Sequence, residues 1–477
     1  MGGQQQKVTM LFTCLLFLSY LCRISNSLDS LAVSQSIEDG KTLVSALGIT
    51  EVGFFSPGNS TRRYLGIWYT NVSPVTVVWV ANRNTPLENK SGVLKLNEKG
   101  ILVLLNATNN IVWSSSNISS KAGNNPIAQL LDSGNFVVKK GQETNEDGVL
   151  WQSFDHPCDT FMPGMKIGWN LETGLEKFLS SWKSFDDPAV GEYAVKLNLS
   201  GYPQMMKFKG PDKVFRGGSW NGLSLVANPG PTYGTSPRFV LNEKEVYYEY
   251  GIEESSGFII YTLTPSGTGE ILFWTTQSRT QQVLSSGEQD QCENYAFCGA
   301  NSICNYDGNH PSCECLRGYV PKSPEQLNIS TWLRGCVPRN KSNCTNSHTD
   351  RFWKYTNMKL PDTSSSRFYE TISLDECQQS CIMNCSCTGY ASLNVLDGGS
   401  GCLLWFDDLV DMRNFSNWGQ DFYIRVPASE LGTQLYLFLV ALCFFLLSFL
   451  VQFVFIIPLV LEKTVVYVWY GNENIKR

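Results

Sequence analysis

Short apolar runs separated by turn-forming residues fill the chain between residues 28 and 150. Tyr64-Leu-Gly-Ile-Trp68, Thr76-Val-Val-Trp-Val80, Ile101-Leu-Val-Leu-Leu105, Ile111-Val-Trp113 and Phe136-Val-Val138 are parted by Gly, Asn, Ser and Pro. Runs at roughly ten-residue spacing, with no helical period, predict strands of a sandwich, barrel or prism. Three stretches also resemble one another. Gly100-Ile-Leu-Val-Leu leads to Ile111-Val-Trp113-Ser, and Gly134-Asn-Phe-Val-Val leads to Val149-Leu-Trp151-Gln-Ser. Val77-Val-Trp79-Val is a third copy of the Val-Trp element. A repeat ending each time in Trp predicts three small sheets around one tryptophan-lined core, because an indole buries so much area.

Two longer apolar stretches have a different character. Lys7 leads into Val8–Cys22, and small residues follow at Ser25 and Ser27. A charged start, a short apolar core and a small-residue exit predict a signal peptide over residues 1–27. The second stretch, Leu435–Leu461, carries no formal charge over 27 residues. As a helix rising ~1.5 Å per residue it is about 40 Å long, enough to cross a ~30 Å hydrocarbon core with tilt. Glu430 precedes it and Lys463, Lys476 and Arg477 follow. The basic side faces the cytosol, which predicts a single-pass type I plasma-membrane protein with a short cytoplasmic tail at 462–477.

The segment between these stretches is then expected in an oxidising compartment, where cysteines pair. Net charge is −6, and no basic patch suggests a nucleic-acid partner. Eleven Asn-x-Ser/Thr sequons predict a glycosylated surface; Asn59, Asn89, Asn106, Asn117, Asn198, Asn328 and Asn340 are the candidate sites.

Of the 16 cysteines, most fall in two clusters. The first is Cys292-x5-Cys298-x5-Cys304-x8-Cys313-x-Cys315-x20-Cys336, whose six residues allow fifteen pairings. Cys313 and Cys315 alternate on one strand, so they point the same way toward different partners. The second cluster is Cys344, Cys377, Cys381, Cys385, Cys387 and Cys402. Ser373-Leu-Asp-Glu376 is a capping box that predicts a helix start. Cys377 and Cys381 then share one helix face and can pin it at two points. Zinc binding through Cys381-x3-Cys385-x-Cys387 is the rival reading, but the chain has only three histidines and its compartment favours disulfides. No metal and no cofactor is expected. Cys158 stands alone and is expected to be a buried small hydrophobe.

Gly53-Phe-Phe-Ser-Pro-Gly58, Tyr64-Leu-Gly-Ile-Trp-Tyr69, Val78-Trp-Val-Ala-Asn-Arg83, Leu130-Leu-Asp-Ser-Gly-Asn135, Trp151-Gln-Ser-Phe-Asp-His-Pro-Cys-Asp-Thr160 and Pro163-Gly-Met-Lys166 stand in order along the chain. Together they resemble the bulb-type lectin domain of plant S-locus glycoproteins and S-domain receptor kinases. Ser181-Trp-Lys-Ser-Phe-Asp-Asp-Pro188 and Gly218-Ser-Trp-Asn-Gly222 resemble the S-locus glycoprotein region that follows it. The resemblance implies a mainly β protein: bulb-type lectin β-prisms in tandem, over 28–150 and 151–287, then a disulfide-rich EGF-like module at 288–340. An α+β apple/PAN module at 341–428 and the transmembrane helix at 435–461 would complete it. It further implies the bonds 292–304, 298–313 and 315–336 in the first cluster, and 377–402 and 381–387 in the second, to which 344–385 is added. A calcium-binding EGF-like module needs more acidic residues than Asp290 supplies, so no calcium is expected.

Mannose-binding members of this fold use a Gln-x-Asp-x-Asn-x-Val-x-Tyr strand whose polar side chains bond sugar hydroxyls from one face. The first copy here reads Asn97, Lys99, Ile101, Val103 and Leu105. In the second, Asn135 and Val137 fit, Leu131 and Ser133 replace Gln and Asp, and Asp132 lies one residue off. Asp132 and Asn135 are therefore the candidate carbohydrate contacts, and a fold retained as scaffold is the favoured reading. No Gly-x-Ser-x-Gly, His-Glu-x-x-His or phosphate-loop motif occurs. The family's receptor members carry a serine/threonine kinase after the membrane helix, whereas 16 residues follow Leu461 here, too few to form one. The expected role is recognition, in pollen or defence signalling, through a peptide or protein ligand or full-length S-domain receptor kinases. A mannose-binding defence lectin that contacts glycans, or a truncated product of a kinase gene, is the alternative. Loop 225–245, rich in Pro and Gly, is a candidate ligand surface.

Overall fold

The computed structural model describes residues 29–115, 125–141, 148–226, 234–253, 257–287, 290–323, 335–339, 350–415, 419–428, 430 and 442–447. The expected signal peptide, Asn117, Asn328, Asn340, Cys344 and most of 435–461 lie outside these residues. Residues 442–447 are helical and exposed, and no described helix is long and apolar enough to cross a membrane.

Three four-stranded antiparallel sheets build the first unit. One holds Ser30–Ala32, Pro126–Leu130, Phe136–Lys140 and Val149–Gln152. A second holds Ser36–Glu38, Val93–Leu96, Leu102–Leu105 and Ile111–Ser114. The third holds Leu43–Val44, Thr50–Phe55, Tyr64–Tyr69 and Val77–Val80. The segment 30–44 thus adds one edge strand to each sheet in turn and ties the three together. Alternation drives the packing: Leu94 and Leu96 are buried while Lys95 between them is exposed. Leu102 and Leu104 point inward in the same way. Trp79, Trp113 and Trp151 meet edge to face, with ring centroids 5.9–6.0 Å apart. The threefold Val-Trp repeat therefore converges on a single aromatic cluster, a preferred ring geometry.

A second unit repeats the plan. Thr160–Phe161, Phe258–Leu263, Gly269–Trp274 and Gln282–Ser286 form one sheet. Leu175–Lys177, Ile167–Asn170, Glu245–Ile252 and Thr235–Leu241 form the next, and Leu179–Ser184, Asp187–Asn198, Gln204–Lys209 and Asp212–Ser219 the last. One continuous apolar cluster, from Leu31 to Trp274, runs through both prisms.

Beyond residue 290 an eight-stranded sheet takes over. Its order is Pro311–Cys315, Ser302–Tyr306, Met412–Asn414, Arg351–Lys359, Gln420–Val426, Gly389–Asn394, Ser400–Trp405 and Arg367–Tyr369. Ser302–Tyr306 pairs in parallel with Met412–Asn414, so the cysteine-rich hairpin and the following module share one sheet. Helix α1, Leu374–Met383, packs on Gly389–Asn394 and Ser400–Trp405. Its first turn carries the full capping box: the Ser373 hydroxyl accepts from the Glu376 N–H, and the Glu376 carboxylate accepts from the Ser373 N–H at 2.7 Å.

Candidate functional site

The polar groups proposed to contact sugar lie in hairpin turns rather than along strand faces. Asn97–Ile101 and Leu131–Asn135 adopt the same turn, with Gly100 (φ +73°) and Gly134 (φ +83°) at matching positions. A left-handed backbone there favours glycine, which explains why the Gly recurs in the repeat. Asn97 Oδ1 accepts from the Lys99 and Ile101 N–H groups at 3.0 and 2.9 Å. Asp132 Oδ1 accepts from the Leu47 N–H at 2.8 Å. Asn135 is buried; its Nδ2 donates to Gln152 Oε1 at 2.9 Å, while its Oδ1 accepts from the Ser153 hydroxyl and the Phe154 N–H. All three side chains hold turns and neighbouring segments in place, and the strand-face offset read for Asp132 does not apply. Of the 225–245 segment, Val226 is buried and Thr235–Leu241 is a strand, while residues 227–233 lie outside the described residues.

The disulfides are Cys292–Cys304, Cys298–Cys313, Cys315–Cys336, Cys377–Cys402 and Cys381–Cys387. Cys385 is also disulfide-bonded, while Cys344 lies outside the described residues. Sulfurs of Cys298, Cys304 and Cys313 lie within 4.8 Å of one another, but each is in a disulfide and offers no thiolate to a metal. Asp290 accepts from the Cys292 N–H at 2.8 Å and pairs with Arg413, so its carboxylate is committed to the fold. Cys377–Cys402 fastens α1 to the sheet beneath it, and both sulfurs are buried. Replacing both residues by serine is expected to lower stability by about 3–4 kcal/mol for a 25-residue separation, read as a shift in the urea midpoint. Cys158 is buried and reduced, its sulfur accepting from the Val80 N–H at 3.3 Å.

Among the sequon asparagines, Asn59 and Asn89 are exposed, and Asn106 and Asn198 are half-buried. Asn106 Oδ1 caps its own turn by accepting from the Thr108 and Asn110 N–H groups. Asn198 Nδ2 is directed at Met206 Sδ, 3.4 Å away.

Two charged clasps set the modules against one another, and the sequence reading assigned no role to either. Arg83, buried in the first prism, reaches into the second: Nε donates to the Pro188 carbonyl at 2.7 Å, Nη1 to Ser180 Oγ at 2.8 Å, and Nη2 to the Ser180 and Ser181 carbonyls. At the far side of the second prism, Arg216 Nε pairs with Asp411 Oδ2 at 2.7 Å, and Lys359 Nζ meets the same oxygen at 2.8 Å. All three side chains are at most 3% exposed. Burial depresses the ammonium of Lys359, and Asp411 opposes that shift. Asp362 sits beside the clasp, accepting from Gln204 Nε2 at 2.6 Å, the Tyr295 hydroxyl at 2.6 Å and Lys213 Nζ at 3.2 Å. Burial works against its ionisation, but Arg216 and these donors prevail and hold the carboxyl well below the usual range. A charged residue within an otherwise strand-like run, as in Lys213-Val-Phe-Arg216, was the available signal.

Tandem prisms clasped to a disulfide-pinned helix-on-sheet module define a protein of lectin fold. Three family profiles match it: D-mannose binding lectin over residues 76–183, S-locus glycoprotein domain over 215–323 and PAN-like domain over 344–412. The chain belongs to the S-locus glycoprotein family. It is 37% identical over 410 residues to the S-locus-specific glycoprotein BS29-2 of Brassica oleracea var. alboglabra, a match covering 85% of this chain and 92% of that one. It is also 36% identical over 425 residues to the receptor-like serine/threonine-protein kinase SD1-8 of Arabidopsis thaliana, covering 89% of this chain. The chain spans about half the length of that kinase, at 50%. No kinase domain is among its 477 residues. A monomeric monocot mannose-binding lectin from Gastrodia elata is similar over 26% of this chain and 96% of its own, with 22% identity and a TM-score of 0.20.

Proposed function

We propose that this protein is an extracellular recognition protein of the S-domain receptor type. It binds a peptide or protein ligand, or pairs with full-length S-domain receptor kinases. Pollen recognition or defence signalling is the setting that the family suggests. The observation that carries the reading is the internal use of Asn97, Asp132 and Asn135, which leaves the lectin fold as a rigid scaffold rather than a sugar reader. The apolar stretch 435–461 supports a membrane anchor, and the six-cysteine framework from Cys292 to Cys336 supports an EGF-like module.

The similarity to D-mannose binding lectins favours glycan recognition as the second reading. Purified protein from a secretory host is presented to a mannose-rich glycan array and, separately, to immobilised ectodomains of receptor-kinase relatives. The expected result is no mannose-inhibited binding to glycans and saturable binding to at least one ectodomain. Mannose-inhibited binding that disappears in Asp132→Ala or Asn135→Ala would establish the lectin reading instead.

A further inference from the structure

Between the two prisms lies a carboxyl group that the clasps leave without a cationic partner. Asp159 is 7% exposed and sits where the second prism begins, next to buried Cys158. Its only hydrogen-bond donor at bonding geometry among the described residues is its neighbour Thr160, whose hydroxyl donates at 3.2 Å. The Trp182 indole N–H faces it without reaching an acceptor at that geometry. The charged and titratable groups around it are Arg83, from the first prism, and the Cys158 thiol. Arg83 is close enough to feel the charge, yet its hydrogen bonds go to oxygens of Ser180, Ser181 and Pro188. A buried carboxylate without a bidentate cation is costly to ionise, and the neutral acid is the form such a site accommodates.

We infer that Asp159 and Arg83 form a proton-operated latch between the prisms: a neutral Asp159 leaves Arg83 bonded to the second prism, and deprotonation loosens the joint. Burial raises the Asp159 carboxyl from 3.8 to about 7, against the lowering effect of Arg83. When the joint opens, water reaches the carboxyl and its affinity for the proton returns toward 3.8. The closed joint therefore holds a proton that the open one releases between pH 3.8 and about 7. Closure is fully favoured below that window. It weakens as pH rises, by up to about tenfold in the opening equilibrium per pH unit, and levels off above about 7. The thiol of Cys158, itself raised by burial, remains protonated throughout this range.

Hydrogen–deuterium exchange of the full chain, corrected for intrinsic rates, tests the latch at pH 5, 6, 7 and 8. Amides in segments 80–86 and 179–191 are expected to lose protection from pH 5 to 7 and to change little from 7 to 8. Asp159→Asn, which mimics the neutral acid, is expected to keep those segments protected at every pH. Should that variant fail to fold, Asp159→Glu and direct infrared titration of the wild-type carboxyl supply the readout. Loss of protection that is the same in Asp159→Asn, or a carboxyl titrating below pH 5, overturns the proposal.

Discussion

Replacing Asp411 by asparagine is expected to lower the unfolding free energy by about 3–5 kcal/mol, although the side chain keeps its shape. Arg216 and Lys359 both direct a cation at Asp411 Oδ2, at 2.7 and 2.8 Å, and neither is accessible to solvent. Asp411 also accepts from the Ala296 N–H at 3.1 Å, and its carbonyl accepts from Arg216 at 2.8 Å. Removing the one negative charge leaves two buried cations with no anion in contact, and desolvation then dominates. The damage is local to the joint: second prism, cysteine-rich hairpin and PAN-like module all meet there. Limited proteolysis of Asp411→Asn is therefore expected to separate the C-terminal module from the prisms before either unfolds. A midpoint shift equivalent to under 1 kcal/mol in urea refutes the clasp. The triple change Arg216→Met, Lys359→Met, Asp411→Leu is expected to recover most of the loss, because apolar packing replaces a desolvated charge cluster without leaving an unpaired ion.

Trp79→Ala is expected to cost a similar 3–5 kcal/mol, acting on the first prism instead of the joint. The indole is 4% exposed, donates from Nε1 to the His156 carbonyl at 3.0 Å, and touches Trp113 and Trp151 edge to face. Alanine leaves a cavity walled by two rings that strands on separate sheets hold in place, so collapse is limited. Each lost ring pair adds about 0.5–1.5 kcal/mol beyond the burial. Trp113 is only partly buried, so Trp113→Ala should cost distinctly less. Far-UV circular dichroism in urea gives the comparison cleanly, since removing an indole disturbs fluorescence. Equal losses at the two positions would mean that the threefold cluster is not the centre of the prism.

Much of the first prism was legible because its signals are local. The run Tyr64-Leu-Gly-Ile-Trp68 predicted the strand found at Tyr64–Tyr69, and Ile111-Val-Trp113 that at Ile111–Ser114. The Ser373–Glu376 capping box marked the start of α1, because an N-cap and its return bond span only four residues. The sugar motif shows the limit of such local signals. Spacing alone placed Asp132 and Asn135 on a strand, while the glycine at 134 turns the chain there.

The pattern of apolar runs, turn residues and Trp repeats by itself determined that this protein is β-rich and built from small sheets around an aromatic centre. Hydrophobic period and turn chemistry act over a few residues and need no distant partner. The tertiary structure alone decided which polar groups are free to bind and which hold the molecule together. Arg83 meets Ser180 across 97 positions of sequence, and Arg216 meets Asp411 across 195. Only the folded chain, which excludes water from these sites, turns an ordinary arginine into a clasp and Asp159 into a proton-binding joint, because a charge changes its character when solvent is removed.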